Sequence, residues 1–254
     1  MINSFSALRY VVDFKKYFFG KEVYVVTLEG YKIVVRPRSD DLYCIGEVVV
    51  NEEYLPSIKG VGSRFETILD LGANIGCFSI WAARKFKPEK IVSVEMEKSN
   101  YESLLKNISL NNLKRIVVPV RAAIYSKDTQ IWIKRSAVVK SVDKLSETPT
   151  GVEVRTLSLE SLVDRYQIDK IDYFKMDIEG SEKFVLSEEN KEIFRKRVKY
   201  LFMEAHYFLK NDPKSSLQYF RDLGFEVKTK FQVRRPLAPY LIEAFNPVFK
   251  KNGF

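Results

Sequence analysis

The chain has 254 residues, of which 46% are hydrophobic and 30% charged, a balance that excludes a disordered, collagenous or disulfide-stapled protein. Its 42 lysines and arginines exceed its 33 aspartates and glutamates, giving a net charge of +9. This charge permits anionic partners but does not require them, because it is spread along the chain. The two cysteines exclude a cysteine-rich zinc site, and the single histidine excludes any mechanism that needs two.

Residues 1–66 are predicted to form a small N-terminal β/α extension with a helix and a β-hairpin. Apolar β-formers in Val23–Thr27 and Lys32–Val35 flank a glycine-containing turn. Residues 8–19 are basic, aromatic and roughly amphipathic, so we expect a helix packed on the domain. The alternative is that this segment docks on a membrane surface, where lipid-linked glycans would be available to the protein. Charges interrupt this run, and no stretch reaches the roughly 18 apolar residues of a membrane span. We therefore expect a cytoplasmic protein, peripheral to the membrane if this segment docks.

Residues 67–235 are predicted to form an α/β domain with a mostly parallel sheet, because short apolar runs alternate with helical patterns. The predicted strands are residues 67–70, 91–95, 116–120, 173–176, 200–203 and 225–228. The predicted helices are residues 78–86, a helix that begins with a capping box at 99–102, and a helix from Pro213 to Leu223. An insertion at about residues 126–157 is predicted to be β-structure. Residues 236–254 are set apart as a C-terminal tail that wraps the domain or contacts a partner.

A glycine-rich turn after the first strand of this domain is the strongest local signal for a ligand. The strand ends at Asp70, and Gly72 and Gly76 flank a turn that opens a helix, whose free N–H groups can bind a polar group. Glu95 ends the next strand, where a carboxylate can accept hydrogen bonds from both hydroxyls of a ribose. The turn lacks the G-x-G-x-x-G spacing of a dinucleotide site, and Asp70 would repel a pyrophosphate. With Asn74 in the turn, the pattern favours S-adenosylmethionine over NAD.

Two later strands of the predicted sheet also end in acids. Asp177 follows one of them, with Glu179 and Glu182 close behind, and Glu204 ends the next strand, two residues before His206. Because ligands of an open α/β sheet lie at the carboxyl ends of its strands, we expect Asp177 to face the same crevice as the glycine-rich turn. Glu182, and on one interpretation Glu179, are explained equally well as acids that complement a helix dipole.

These motifs together resemble the FkbM-type family of S-adenosylmethionine-dependent methyltransferases. The resemblance rests on Ile-Leu-Asp-Leu-Gly-Ala-Asn-Ile-Gly at 68–76, the acid at 95, Lys-Met-Asp-Ile-Glu-Gly-Ser-Glu at 175–182, Glu-x-His at 204–206, and an upstream match from 40 to 54. It implies a Rossmann-like class I methyltransferase with a seven-stranded, mostly parallel sheet. It also implies methyl transfer from S-adenosylmethionine to a hydroxyl of a sugar, glycan or small natural product, which leaves S-adenosyl-L-homocysteine.

The resemblance further implies roles for individual residues. Those expected around the amino-acid part of the cofactor are Asp70, Gly72, Ala73, Asn74 and Gly76. Glu95 is expected at the ribose, Ala122 and Ala123 at the adenine, and Asp177 near the methyl group. Met96 is expected to be a further cofactor-binding residue. Those expected near the acceptor are Glu179, Tyr54 and Glu47. The insertion around Trp132 is poorly matched, so the acceptor is not identified.

Methylation of a hydroxyl needs a base, which contributes about 10²–10⁴-fold to the rate. His206 and Asp177 are the predicted candidates, with Glu204 beside them, because an imidazole with an ordinary pKa near 6.5 suits neutral pH. Asp177 would otherwise bind the acceptor hydroxyl. The side chains of Asp177, Glu204 and His206 would also form an oxygen and nitrogen ligand set, although we do not expect a divalent metal.

Two other functions stay open from the sequence. The positive charge permits a tRNA or rRNA methyltransferase, but the segment where many such enzymes carry an Asn/Asp-Pro-Pro-aromatic element reads Asp-Ile-Glu-Gly at 177–180. Cys77 lies in the cofactor turn, away from the position of a nucleophilic cysteine, so nucleic acid is not favoured. The second alternative is a binding protein that keeps the fold but has no catalytic activity. The presence of Asp70, Glu95 and Asp177 argues against this alternative.

Overall fold

The computed structural model describes residues 10–12, 23–27, 30–133, 145–146, 151–206, 213–230 and 240–250. Its strands are β1 Tyr10–Val12, β2 Val23–Thr27, β3 Lys32–Val35, β4 Thr67–Leu71, β5 Lys90–Val94, β6 Val117–Val120, β7 Ala123–Ile124, β8 Gln130–Ile133, β9 Leu145–Ser146, β10 Val152–Leu157, β11 Tyr173–Met176, β12 Tyr200–Ala205, β13 Glu226–Lys230 and β14 Tyr240–Phe245. Its α-helices are α1 Asp41–Ile45, α2 Cys77–Phe86, α3 Lys98–Leu110, α4 Leu159–Arg165, α5 Glu182–Val185, α6 Lys191–Arg197 and α7 Pro213–Asp222. A π-helical turn, Gly46–Val50, continues α1, and a 3-10 turn, Pro247–Phe249, follows β14.

Seven strands form the central sheet, in the order β13-β14-β12-β11-β4-β5-β6. Strands β4, β5, β6, β11 and β12 run parallel, and β14 runs antiparallel to both β12 and β13. The chain continues from β4 to β5 on one side and later adds β11 on the other, so the strand order reverses between β4 and β11. In an open α/β sheet the ligand crevice lies at the carboxyl ends of the strands beside such a reversal.

The central sheet separates two apolar cores. Ile68 and Leu69, neighbours in β4, are both fully buried and belong to opposite cores, as the alternation of side chains in a strand requires. Trp81 of α2 packs into the first core, and Phe194 of α6 packs into the second. Because both faces of the sheet are covered, its parallel strands are nearly continuous apolar runs, and this is why the sequence pattern located them.

The predicted fold class is confirmed. The mostly parallel seven-stranded sheet is flanked by helices, and the predicted hairpin forms β2 and β3, which pair antiparallel beside β1. The predicted β-insertion is also present as a second sheet, in the order β7-β10-β8-β9. Among the described residues, no helix combines the length and the apolar character needed to cross a membrane.

The start of α3 differs from the prediction. The helix begins at Lys98, and the side chain of Glu97 accepts a hydrogen bond of 2.9 Å from the N–H of Asn100. Ser99 therefore lies inside the helix, and the capping box predicted there was wrong by two residues. Glu97 can cap because its backbone is still extended, which turns its carboxylate toward the first free N–H groups.

Two terminal segments also differ from the sequence interpretation. Strand β14 lies within residues 236–254, the segment set apart as a tail, yet it pairs with both β12 and β13 inside the central sheet. Its apolar run is interrupted by Glu243, which is fully buried and accepts hydrogen bonds from the hydroxyls of Ser57 and Tyr200. In residues 8–19, expected to be helical, Tyr10–Val12 is a strand, and the rest of that stretch lies outside the described residues.

Candidate active site

Left-handed backbone conformations shape the turn between β4 and α2. Gly72 and Gly76 have φ angles of 78° and 89°, and Asn74 between them has a φ of 50°. A Cβ on Gly72 would lie 1.7 Å from the carbonyl oxygen of Asp177, and a Cβ on Gly76 would lie 2.6 Å from a methyl carbon of Leu104. The turn therefore requires glycine at position 72, where it packs against the backbone at the end of β11. At position 76 the left-handed φ favours glycine, and the contact with Leu104 of α3 adds to that preference.

Glu95 holds this turn from the end of β5. Its Oε2 accepts a hydrogen bond of 2.8 Å from the N–H of Asn74, and its Oε1 accepts one of 2.7 Å from the N–H of Glu97. Burial raises the pKa of the Glu95 carboxyl, and the two backbone donors oppose that shift. Each carboxylate oxygen has two lone pairs, so Glu95 keeps the capacity to accept hydrogen bonds from a bound hydroxyl.

Asp70 lies beneath the turn and is fully buried. Its Oδ2 accepts a hydrogen bond of 2.6 Å from the hydroxyl of Ser79, which also shares a hydrogen bond of 2.7 Å with Ser93. Its Oδ1 lies 3.3 Å from the Nζ of Lys175. The Asp70 side chain thus joins β4 to α2, β5 and β11, and its charge is balanced by a buried ammonium.

Lys175 is a buried charged residue of this site that the sequence analysis did not single out. Its Nζ donates a hydrogen bond of 2.7 Å to the carbonyl oxygen of Gly72 and lies 3.7 Å from Oδ2 of Asp177. Burial alone would lower the pKa of this ammonium, but the charges of Asp70, Asp177 and Glu204 outweigh burial and raise the pKa above its ordinary value. The available signal was a lysine within the otherwise apolar strand β11, because lysine is rarely buried without a partner.

His206 lies at the centre of four carboxylates. Its Nδ1–H donates to Oε1 of Glu182 at 3.1 Å. Its Nε2 lies 3.5 Å from Oε2 of Glu179 and 3.8 Å from one oxygen each of Asp177 and Glu204. The carboxyl ends of β11 and β12 therefore bring these side chains together, as the sequence pattern predicted for Asp177, Glu204 and His206. The role of Glu182 was not evident from the sequence, where it is also a first-turn acid of α5.

The four acids change the protonation of this cluster. Burial would lower the pKa of His206, but the hydrogen bond with Glu182 and the charges of Asp177 and Glu179 raise it to about 10. Burial and the charge of Asp177 raise the pKa of Glu204 to about 8. At neutral pH the imidazole is therefore a cation, and it cannot take up a further proton.

The N-terminal extension closes one side of the cluster. The hydroxyl of Tyr54 donates a hydrogen bond of 2.7 Å to Oε1 of Glu204, and the Tyr54 ring lies 5.8 Å from Nζ of Lys175. The Tyr54 carbonyl oxygen in turn accepts a hydrogen bond from the hydroxyl of Tyr173. The charge of Glu47, in the π-helical turn, contributes to the raised pKa of Glu204. Tyr54 and Glu47, predicted near the acceptor, thus lie beside the acids.

The other predicted cofactor residues lie at the ends of β4, β5 and β6. The N–H of Ala73 donates a hydrogen bond of 2.9 Å to the carbonyl oxygen of Val94. Ala122 and Ala123 are buried just after β6. Met96 is partly buried and packs against the small apolar core of the second sheet, to which Ala123 belongs. In the strand order, β5 and β6 lie three and four positions from β12, whose end carries His206.

The fold and the site together define a class of enzyme. The features are those of a Rossmann-like class I methyltransferase. The sheet has a strand reversal between β4 and β11 and one antiparallel strand, a glycine-rich turn follows β4, and an acid follows β5. The sequence matches the family described as the methyltransferase FkbM domain over residues 70–227, more than half of the chain. The chain belongs to this family and is an S-adenosylmethionine-dependent methyltransferase.

Solved methyltransferase structures are similar to this chain. An FkbM methyltransferase from Methylobacillus flagellatus KT shares the fold at a TM-score of 0.55 and 15% identity; the match covers 78% of this chain and 47% of that one, about half its length. A precorrin-6y C5,15-methyltransferase from Geobacter metallireducens GS-15 has a TM-score of 0.45, 14% identity and coverages of 73% and 82%. TrmK from M. capricolum, in complex with S-adenosyl-homocysteine, has a TM-score of 0.45, 12% identity and coverages of 71% and 62%. No curated protein matches the sequence.

Proposed function

We propose that this methyltransferase acts on a hydroxyl group of a sugar, a glycan or a small natural product. The observation that carries the proposal is the convergence of Asp177, Glu179 and Glu204 around Nε2 of His206, at 3.5–3.8 Å. Carboxylates accept hydrogen bonds from hydroxyl groups and can take up their protons. The same acids would repel the phosphates of a nucleic acid. The site therefore favours an uncharged, hydroxyl-bearing acceptor.

The residues at the ends of β4 and β5 fit S-adenosylmethionine. The buried Oδ1 of Asn74 has no hydrogen-bond partner among the described residues, and Glu95 offers further acceptor capacity for hydroxyl donors. The surrounding acids favour a cationic ligand. In this proposal the amino-acid part is held at Gly72, Ala73, Asn74 and Gly76 above Asp70, the ribose at Glu95 and Met96, and the adenine at Ala122 and Ala123. When bound, S-adenosylmethionine supplies a methyl group whose bond to sulfur breaks as the bond to the acceptor oxygen forms.

Glu204 is best placed to take the acceptor proton once its carboxyl, whose pKa is about 8, has ionised. Tyr54 holds one of its oxygens, and the other faces the centre of the cluster, 3.8 Å from Nε2 of His206. The proton leaves the hydroxyl for this carboxylate, and the oxygen keeps the electron pair that forms the new bond. Asp177 orients the hydroxyl. His206, which already carries its proton, balances the charge of the acids. In this proposal the base is therefore the Glu204 carboxylate and not His206, which the sequence analysis named as a candidate together with Asp177.

The experiment is a transfer assay with methyl-labelled S-adenosylmethionine. Free sugars and a glycan extract serve as acceptors, with tRNA in parallel. We expect label in a base-stable ether linkage, and we expect Glu204→Gln and Asp177→Asn to slow transfer by about 100-fold or more. Glu89→Gln, an exposed change outside the cluster, serves as the matched control and should leave the rate unchanged. Label in the bases of tRNA, with none in a carbohydrate ether, would contradict the proposal.

A further inference from the structure

We infer a divalent-cation site formed by Asp177, Glu179 and His206, which would bind the acceptor hydroxyl; the inference about the hydroxyl rests on the proposed function. One potential ligand atom from each of these side chains lies within 4.8 Å of the other two. Two carboxylate oxygens and one imidazole nitrogen form a mixed donor set that suits Mn²⁺ and ions of similar preference. The three residues come from the end of β11, the turn after it and the end of β12, so the sheet itself brings them together.

The distances at Nε2 of His206 are too long for hydrogen bonds. Nε2 lies 3.5 Å from Oε2 of Glu179 and 3.8 Å from Oδ1 of Asp177. Neighbouring ligand atoms about 2.1 Å from an octahedral ion are roughly 3 Å apart. One shared ion would therefore require each of these two distances to shorten by less than about 1 Å. The three candidate ligand atoms already lie within 4.8 Å of one another.

Glu182, which is not one of the three proposed ligands, provides a second observation. This carboxylate is fully buried and reaches the cluster from α5, with Oε1 3.1 Å from Nδ1 of His206. Its other oxygen, Oε2, is buried and has no hydrogen-bond partner among the described residues. A carboxylate on Nδ1 fixes the ring so that Nε2 faces outward, which is the arrangement that orients histidines bound to metals. Glu182 thus aims Nε2 at Asp177 and Glu179.

The balance of charge supports the same conclusion. Asp177, Glu179, Glu182 and Glu204 surround the imidazole of His206. Glu182 and Glu204 are largely buried, and grouping carboxylates around buried acids is costly unless cations offset them. A divalent ion at this point would displace the Nε2 proton of His206, so it would add one net positive charge, and it would lower the pKa of a coordinated hydroxyl. The proton released by that hydroxyl would pass to Glu204, which lies outside the proposed ligand set.

The experiment is a titration of the purified full chain with MnCl₂ after treatment with EDTA, with free Mn²⁺ measured by electron paramagnetic resonance. We expect one Mn²⁺ per chain, and we expect Asp177→Asn and His206→Ala to weaken binding by about tenfold or more. Glu179→Gln should weaken it as well. Its matched control is Glu102→Gln on α3, because the two side chains are exposed to similar extents, 49% and 56%, and Glu102→Gln should not change binding.

The outcomes separate this inference from the proposed function. The cation site is overturned as a proposal if no Mn²⁺ binds below about 1 mM. It is also overturned if binding survives both Asp177→Asn and His206→Ala. Binding of S-adenosylhomocysteine, measured on the same samples, shows whether each variant is folded. If Asp177→Asn and His206→Ala do not fold, the loss or retention of Mn²⁺ binding in the half-exposed variant Glu179→Gln tests the cation site. Hydroxyl methylation that proceeds at its full rate in EDTA overturns the role of the cation in binding the acceptor hydroxyl, and it leaves the proposed function standing. If Mn²⁺ binds with the expected variant pattern but no hydroxyl is methylated, the cation site is supported. The proposal that its acceptor is a hydroxyl is then overturned.

Discussion

The carbonyl oxygen of Asp177 occupies the space that a side chain on Gly72 would need. A Cβ at Gly72 would lie 1.7 Å from that oxygen, and the N–H of Asp177 donates a hydrogen bond of 3.0 Å to the carbonyl oxygen of Leu71. Lys175 adds a third connection through its hydrogen bond to the carbonyl of Gly72. The glycine-rich turn and the acidic end of β11 are therefore one packing unit, and the position of Asp177 depends on the turn.

Gly72→Ala should be strongly destabilising. The change adds the cost of a left-handed alanine, about 1–2 kcal/mol, to that of displacing the Asp177 backbone, so we expect the free energy of unfolding to fall by about 3 kcal/mol or more. Gly224→Ala is the matched control, because Gly224 has a similar φ of 85° but a Cβ at that position would meet no atom within 4 Å. Urea unfolding followed by circular dichroism measures both. If both variants lose the same free energy of unfolding, the contact between Gly72 and Asp177 does not contribute to the cost of the Gly72→Ala change.

Glu95→Gln should weaken cofactor binding. The Glu95 carboxylate accepts hydrogen bonds from two backbone N–H groups, and an amide would place its own NH₂ donor against one of them. We expect the dissociation constant for S-adenosylhomocysteine, measured by calorimetry, to rise by about tenfold or more. Glu89→Gln, exposed just before β5, should leave it unchanged. Unchanged affinity in Glu95→Gln would remove Glu95 from the cofactor site.

His206 should titrate far above an ordinary histidine. It is the only histidine of the chain, so its ring protons can be followed by NMR in tag-free protein without bound metal. We expect a pKa of about 10, and we expect Glu182→Gln to lower it by about one unit or more. Because the folded-state pKa lies above the unfolded value of about 6.5, the resulting stabilisation is fully present below that pH and is lost as the pH rises through about 10. A pKa near 6.5 in the wild type would contradict the charge arrangement described for the cluster.

The sequence predicted the parts of this protein that depend on local pattern. Strand β11 and the acid that follows it were evident because a buried parallel strand is an apolar run and its end is marked by Asp177. Strand β14 was not evident, because Glu243 interrupts it and its partners Ser57 and Tyr200 are brought near only by the fold.

The same limit applies to the site. Asp70 and Glu204 could be singled out by their place at strand ends. Lys175 and Glu182 could not be interpreted fully, because their roles follow from partners that are distant in sequence: Asp70 for the lysine and His206 for the glutamate. Raised and lowered pKa values depend on the sum of such contacts. The sequence therefore placed the acids in one crevice but did not predict which of them would hold a proton.

Tyr54→Phe should shift the pH dependence of methyl transfer. The Tyr54 hydroxyl donates to Glu204 at 2.7 Å and thereby lowers the pKa of a carboxyl that burial raises to about 8. Loss of this hydrogen bond raises that pKa further, so the ionised base forms only at higher pH, and we expect the acidic limb of the pH–rate profile to move upward by about one unit. Tyr200→Phe is the matched control, because it removes a hydrogen bond of 2.9 Å to another buried carboxylate, Glu243. It should lower stability but leave the profile in place, and a shift of similar size in both variants would show that Tyr54 acts on the fold and not on the base.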